Sequence, residues 1–394
     1  SYSIPSFLPF SFSPHEMNSG YENISQTTLV SKLQGLQCHF TWDLDTSRAK
    51  LLRFRERFED FGTEDGHCWL GHIYNLRGFI EYKLGFTEEA QSFFNKATEA
   101  FCQIRNADEG PWLVVNYGNL AWLHHHLGDP AESEAYLTKV DALMNEYPSP
   151  SQAKLHPEIC AEKAWTFMRF STDKMPLALD YFLKAIEMQP DMVEWNTCHI
   201  LGLMFASEHS STAVGADILE KMRIAKEKDP ENLYLAVHYF NQCAKKGERI
   251  EDEARELARE VLRNPVSRYS GIKPLLIIYR NYLSVDEAID LSEEVLRNHP
   301  DERYLKGCAA LCYRWKIFVS FWMIKTRTVW VSDCVCNEAT VSDEVGRCHG
   351  NRPGACGAQG SGVSPAAGGK TTHVLKPVER HRTINCSCKK WISR

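Results

Sequence analysis

The sequence has no run long and apolar enough to read as a membrane span. Its longest apolar stretch, Ile317–Ile324, covers 8 residues before Lys325 and Arg327, against roughly 20 needed to cross a bilayer. It has no convincing alternating strands, so no sheet-based fold is expected. It has no excess of positive charge: the net charge is −6. No molecule-wide field therefore draws it to DNA or an acidic membrane, and any anion site must be a local pocket. It also lacks H-E-x-x-H, a dinucleotide fingerprint and a nucleophile–base pair. No catalytic site, cofactor or metal follows from such a chain.

What is present is helical patterning. Runs rich in Ala, Leu, Glu and Lys alternate with short breaks at Gly or Pro from residue 27 to residue 318. These runs repeat. A tetratricopeptide repeat is a pair of helices of about 34 residues, with small residues where the helices cross. "LALDYFLKAIEMQPD" carries Ala178, Phe182, Ala185 and Pro190 at the spacing of a second helix and its stop. Upstream, Gly78, Gly85, Ala90, Phe94 and Ala97 form one such unit, and Ala121, Gly128, Leu137 and Val140 another. Downstream units end at Pro230, Pro265 and Pro300. One repeat cannot bury its own apolar face, so several must stack. The expected fold is all-α: a tetratricopeptide-repeat superhelix, a solenoid of helix pairs, over residues 27–318.

The two ends are compositionally foreign to this array. Residues 1–26 contain three prolines before Met17 and no basic start. They read as a poor signal peptide and as a disordered extension, consistent with translated upstream sequence. Residues 319–394 carry 11 Lys+Arg against 5 Asp+Glu, whereas the rest carries 34 against 46. Rich in Gly, Ala, Ser and Pro, this tail also reads as disordered.

Several local motifs invite chemistry and fail a physical test. His124–His126 are adjacent on a helix and point about 100° apart, so they cannot share one ion. Cys308 and Cys312 share a helical face but lack two further zinc ligands. The tail's Cys334-x-Cys336 and Cys386-x-Cys388 match no defensible zinc spacing. Gly368–Thr372 has Ser364 where a P-loop needs Gly, and no strand before it. The eight cysteines before residue 319, among them Cys102, Cys198 and Cys243, read as small buried apolar residues of a reducing compartment. On residues alone, the chain is a general repeat adaptor for protein ligands.

Three stretches are more specific. "LQCHFTWDL" (Leu36–Leu44) precedes the first repeat. "YGNLAWLHHHLG" (Tyr117–Gly128) and "HPEICAEKAW" followed by "DYFLKAIEMQPD" come after it in order. Together they resemble the interferon-induced proteins with tetratricopeptide repeats, the IFIT family, over roughly residues 27–318. The resemblance implies a cytoplasmic, non-catalytic antiviral protein of innate immunity. It implies as partners single-stranded RNA with a 5′-triphosphate or cap, or proteins that include other family members. Because the family normally continues past the point matched by Phe318, it also implies a C-terminally truncated form with an unrelated tail.

The family's RNA binders have an Arg and, four later, a Gln; the resemblance places these at Arg57 and Phe61. A Trp that can stack on a base falls on Trp165, with a basic residue four later at Arg169. A Tyr that contacts terminal phosphates falls on Met175, and a phosphate-binding Arg on Phe205. A further basic position falls on Lys273, while Tyr279, Arg280, Tyr313 and Arg314 match in kind. The resemblance therefore implies an RNA site of Arg57, Trp165, Arg169, Lys273, Tyr279 and Arg280 whose phosphate end has turned apolar. The plain alternative is that Trp165 is repeat core and that Arg57 and Arg169 are solvated helix charges.

Overall fold

The computed structural model describes residues 28–59, 67–151, 155–170, 172–209, 214–264 and 270–324. The expectations for residues 1–26, for the tail beyond 324 with its C-x-C pairs and Gly368–Thr372, and for Phe61 lie outside these residues. Among the described residues every regular element is a helix. In chain order these are α1 (28–35), α2 (Arg48–Glu59), α3 (Leu70–Leu84), α4 (Thr87–Arg105), α5 (Val114–His126), α6 (Pro130–Glu146), α7 (Pro157–Phe170) and α8 (Met175–Met188). They continue as α9 (Val193–His209), α10 (Ala216–Lys228), α11 (Leu233–Lys246), α12 (Glu251–Arg263), α13 (Ile272–Tyr282), α14 (Val285–Asn298) and α15 (303–324). None of the described helices is long and apolar enough to cross a membrane.

The described residues divide into two units: those up to 278 with 301–304, and 279–300 with those from 305 on. In the first unit, helices pack in successive pairs, α3 on α4, α5 on α6, α7 on α8, α9 on α10 and α11 on α12. This is the tetratricopeptide arrangement that the spacing of small residues predicts. A β-carbon on Gly78 would lie 2.7 Å from the Phe94 ring, so only glycine lets α3 approach α4 this closely. Ala90, Phe94 and Ala97 are buried on the facing side, as are Ala178, Phe182 and Ala185 on α8. Gly85 ends α3 in the left-handed conformation (φ 94°) and returns its N–H to the carbonyls of Glu81 and Tyr82. That termination needs a residue without a β-carbon penalty. At the start of α6, Asp129 accepts from the Glu132 N–H at 3.1 Å and Pro130 occupies the first turn. Both features stabilise a helix start.

Residues 36–44 form no regular element, yet they anchor the first unit. Cys38, His39, Trp42 and Leu44 are buried. The His39 N–H donates to Asn119 Oδ1 at 3.1 Å, and its ring meets Asn119 Nδ2 at 3.0 Å and Thr166 Oγ1 at 3.2 Å. Gly118 makes room for Cys38, whose Cβ would sit 3.0 Å from an added β-carbon. The first two distinctive sequence stretches therefore fit each other. The histidine run is part of this packing: His126 stacks on Tyr82 and Trp122, and His124 on Tyr136.

In the second unit, α14 is capped by Ser284, whose hydroxyl accepts from the Glu287 N–H at 2.9 Å. Helix α15 reaches residue 324, past the expected end of the array at Phe318, because no Gly or Pro interrupts "VSFWMI". Ile317, Phe321 and Ile324 on this helix are exposed. Cys308 and Cys312 are buried, as core residues would be. Of the eight described cysteines, Cys68 departs from the expected burial and Cys102 is half-buried. Cys68 lies in the turn that leads into α3 rather than on an apolar helix face.

Candidate functional site

One face of α7 carries Glu158, Glu162, Trp165 and Arg169 at successive turns. Such spacing puts all four side chains in one stripe. Trp165 is fully buried at 0% exposure. Its ring stacks on Trp69, 5.9 Å away at 12°, and tilts against His72 at 6.0 Å. Its Nε1–H is buried and has no hydrogen-bond acceptor among the described residues. The Arg169 guanidinium lies 5.9 Å from the centre of the same ring.

The stripe continues as a buried polar seam. Asn75 donates to Glu162 Oε1 at 2.8 Å and accepts from Asn116 Nδ2 at 2.8 Å. Asn116 also donates to the Phe94 carbonyl and accepts from the Thr98 hydroxyl. This seam ties α3, α4, α5 and α7 together. Burial holds the Glu162 carboxyl up at about 8 against the opposing hydrogen bond from Asn75. Glu158 is likewise raised by burial, to about 7, although it pairs with Arg105 at 3.0 Å. That ion pair occupies Arg105, whose guanidinium also lies 5.5 Å from the Trp112 ring.

The charges around Arg169 are mixed. Burial and the Arg169 charge lower His67 to about 4. Burial also lowers His238 to about 4, with Arg169 a smaller contributor. Protein packed around Cys68 raises its thiol to about 12 although the residue keeps an exposed surface, with added repulsion from Glu194 and Asp229. The same two carboxylates and Arg169 act on Cys198. At Cys198, then, Arg169 and the two carboxylates act in opposite senses, and the carboxylates oppose the guanidinium's pull on an anion. Both positions where the resemblance implies phosphate contacts are apolar and packed. Met175 is buried, and half-buried Phe205 meets the His238 ring edge-on at 5.4 Å.

Of the residues expected at the site, Trp165 and Arg169 are in direct contact. Arg57 is exposed on α2 with its guanidinium 5.3 Å from the Phe54 ring. Phe54 in turn stacks on Phe170 at 4.8 Å, which docks α2 on the end of α7 that carries Arg169. Lys273 is exposed in the first turn of α13. In the second unit, Tyr279 is buried, and the Arg280 guanidinium lies 4.5 Å over the Trp315 ring. Burial lowers the pKa of Arg280. Tyr313 donates to Glu293, and Arg314 is exposed. Sequence reasoning missed Trp69, the Arg105–Glu158 pair and Glu162. The i, i+4 acids before Trp165 in "HPEICAEKAW" were the available signal, because they fall on the face that carries the tryptophan.

Known proteins agree with this architecture. A sequence model of the tetratricopeptide repeat matches residues 69–145. The human protein "IFIT1 homolog B" is 28% identical over 301 residues, covering 75% of this chain and 62% of its own length. Human "Interferon-induced protein with tetratricopeptide repeats 2" is 27% identical over 298 residues, with the same coverage of each chain. The chain thus spans 62% of the length of these curated relatives. Among solved structures, a monomeric IFIT1 mutant bound to m7Gppp-AAAA superposes with a TM-score of 0.64 at 23% identity, over 76% of this chain and 65% of its own. The human IFIT1 dimer with PPP-AAAA gives a TM-score of 0.58 at 23% identity, over 74% and 63%. In sequence over three quarters of its length, and in the fold of its paired helices, the chain is similar to the interferon-induced proteins with tetratricopeptide repeats.

Proposed function

We propose that this chain is a non-catalytic, cytoplasmic effector of antiviral innate immunity that binds the 5′ end of single-stranded RNA weakly and works through protein partners. The antiviral role follows from relatives such as the human "Antiviral innate immune response effector IFIT1", 26% identical over 290 residues. The RNA class follows from the capped and triphosphorylated AAAA oligonucleotides in the solved IFIT1 structures.

The observation that carries the reading is the contrast between the Trp165–Arg169 pair and its apolar surroundings, Met175 and Phe205. The pair keeps one aromatic face and one cation. A phosphate placed beside Met175 and Phe205 would lose water without gaining donors. Each missing hydrogen bond to a charged group forfeits roughly 1.5–3 kcal/mol. Two such losses weaken binding about a hundredfold or more. The full burial of Trp165 under Trp69 adds the work of uncovering the ring before a base can stack on it.

Filter binding of triphosphate-ended against hydroxyl-ended RNA, at stated salt, tests this. The expected result is weak binding with at most about a tenfold triphosphate preference, reduced further in Arg169→Ala. Tight, triphosphate-dependent binding that Arg57→Ala abolishes would overturn it. The second reading, a repeat adaptor with no RNA affinity, is favoured by Glu194 and Asp229, which oppose Arg169 at Cys198. Absence of any RNA binding at physiological salt would select that reading.

A further inference from the structure

Helices α9 and α10 leave a groove beside the end of α8, of about 430 Å³. Val193, Thr197 and Ile200 line it from α9, and Lys221, Ile224 and Lys228 from α10. These positions are spaced by three or four residues, so each helix offers one continuous face. At the floor, Thr197 is 3% exposed, and its hydroxyl is buried without a hydrogen-bond partner among the described residues. Fold-internal hydroxyls are normally satisfied, so an orphan in a groove wall marks a place for a ligand atom. At the rim, Lys221 and Lys228 are exposed and lie two turns apart. Neither makes an ion pair among the described residues, whereas neighbouring Arg223 on the same helix pairs with both Glu220 and Glu227. Val193 and Ile224 remain exposed between them.

One carboxylate, Asp191, also lines the groove just past α8, so the two uncommitted lysines leave the trough net positive; with a donor at its floor, it complements a peptide that carries aliphatic and acidic residues. We infer that this groove docks an acidic, leucine-type peptide segment of a partner protein. An aliphatic side chain enters between Val193, Ile200 and Ile224. Its flanking carboxylates meet Lys221 and Lys228, and a ligand oxygen accepts from Thr197. Nucleic acid fits less well, because no aromatic residue lines the groove to stack a base. The surface is separate from Trp165 and Arg169, so its failure would leave the RNA reading untouched.

Fluorescence anisotropy on the full chain tests the proposal with two labelled peptides of about 12 residues. Both place Leu at helical spacing; one carries Glu at every other position and the other Lys. The Glu peptide is expected to bind and the Lys peptide not. Charge reversal in Lys221→Glu with Lys228→Glu should weaken the Glu peptide about tenfold or more and favour the Lys peptide. Thr197→Val should weaken the Glu peptide several-fold while leaving the thermal midpoint unchanged or raised, since it removes a buried orphan without changing shape. Four results would overturn the proposal: no binding of the Glu peptide, equal binding of both peptides, unchanged affinity in the double variant, or a lowered midpoint in Thr197→Val. Displacement of the Glu peptide by a hydroxyl-ended oligoadenylate, itself released by the double charge reversal, would overturn it in favour of nucleic acid.

Discussion

At the scale of single residues, the same substitution has opposite consequences in two helices. Gly78 lies in α3 with the Phe94 ring 2.7 Å, and the Ala90 carbonyl oxygen 3.1 Å, from where a β-carbon would sit. Gly78→Ala gains roughly 1 kcal/mol of helix propensity. It loses about 1–3 kcal/mol to overpacking, because the facing side includes backbone that cannot rotate away. A lower urea midpoint is expected, with partial recovery when Phe94→Leu is added. Gly307 lies in α15 with nothing within 4 Å of its would-be β-carbon. There the propensity gain stands alone, and Gly307→Ala should raise helix stability by about 0.5–1 kcal/mol. Hydrogen exchange along α15 would show it as slowed amides. If both variants moved in the same direction, the packing assigned to Gly78 would be wrong.

At the scale of elements, the irregular stretch 36–44 is as structural as any helix. Asn119 meets it twice, accepting from the His39 N–H and contacting the His39 ring. Asn119→Ala leaves that buried N–H without a partner, at a cost of about 1–3 kcal/mol. Hydrogen exchange should then quicken across 36–44 while α9 to α12 keep their rates; a uniform change would mean the stretch is not held locally. This element also shows what could be read from sequence. Ala178, Phe182 and Ala185 announced a helix pair because their spacing and their packing are both local. Leu36–Leu44 could be seen as distinctive but not explained, because its partners Asn119 and Thr166 lie 80 and 127 residues away. The site divides the same way. A four-residue spacing already put Trp165 and Arg169 on one face. The same spacing placed Glu158 and Glu162 on the tryptophan's face, but nothing local revealed that Trp69 covers the ring or that Asn75 and Arg105 meet the two acids.

At the scale of the whole molecule, the buried ionisable groups make stability depend on pH in two opposed ways. Burial lowers His39 to about 3 and His67, His156 and His238 to about 4, and lowers His72 well below its usual value. The unfolded chain protonates these rings near 6.5. Their contribution is therefore present above that pH and is lost as pH falls toward 4. Glu158 and Glu162 act in reverse, since their folded values near 7 and 8 lie above the ordinary carboxylate value. Their contribution is complete below about 4.5 and is lost as pH rises through 7 to 8. Five rings outweigh two carboxyls on the acid side, so the thermal midpoint should climb from pH 4 to about 6.5. Above that the rings no longer titrate, the carboxyls act alone, and the midpoint should fall toward pH 8. Glu162→Gln keeps an oxygen that can accept from Asn75 but cannot ionise. It should flatten this alkaline limb and leave the acid limb in place, as read by circular dichroism melts across the range. A midpoint that kept rising to pH 8, or an alkaline limb unchanged by Glu162→Gln, would show that the seam tolerates a carboxylate and is hydrated rather than dry.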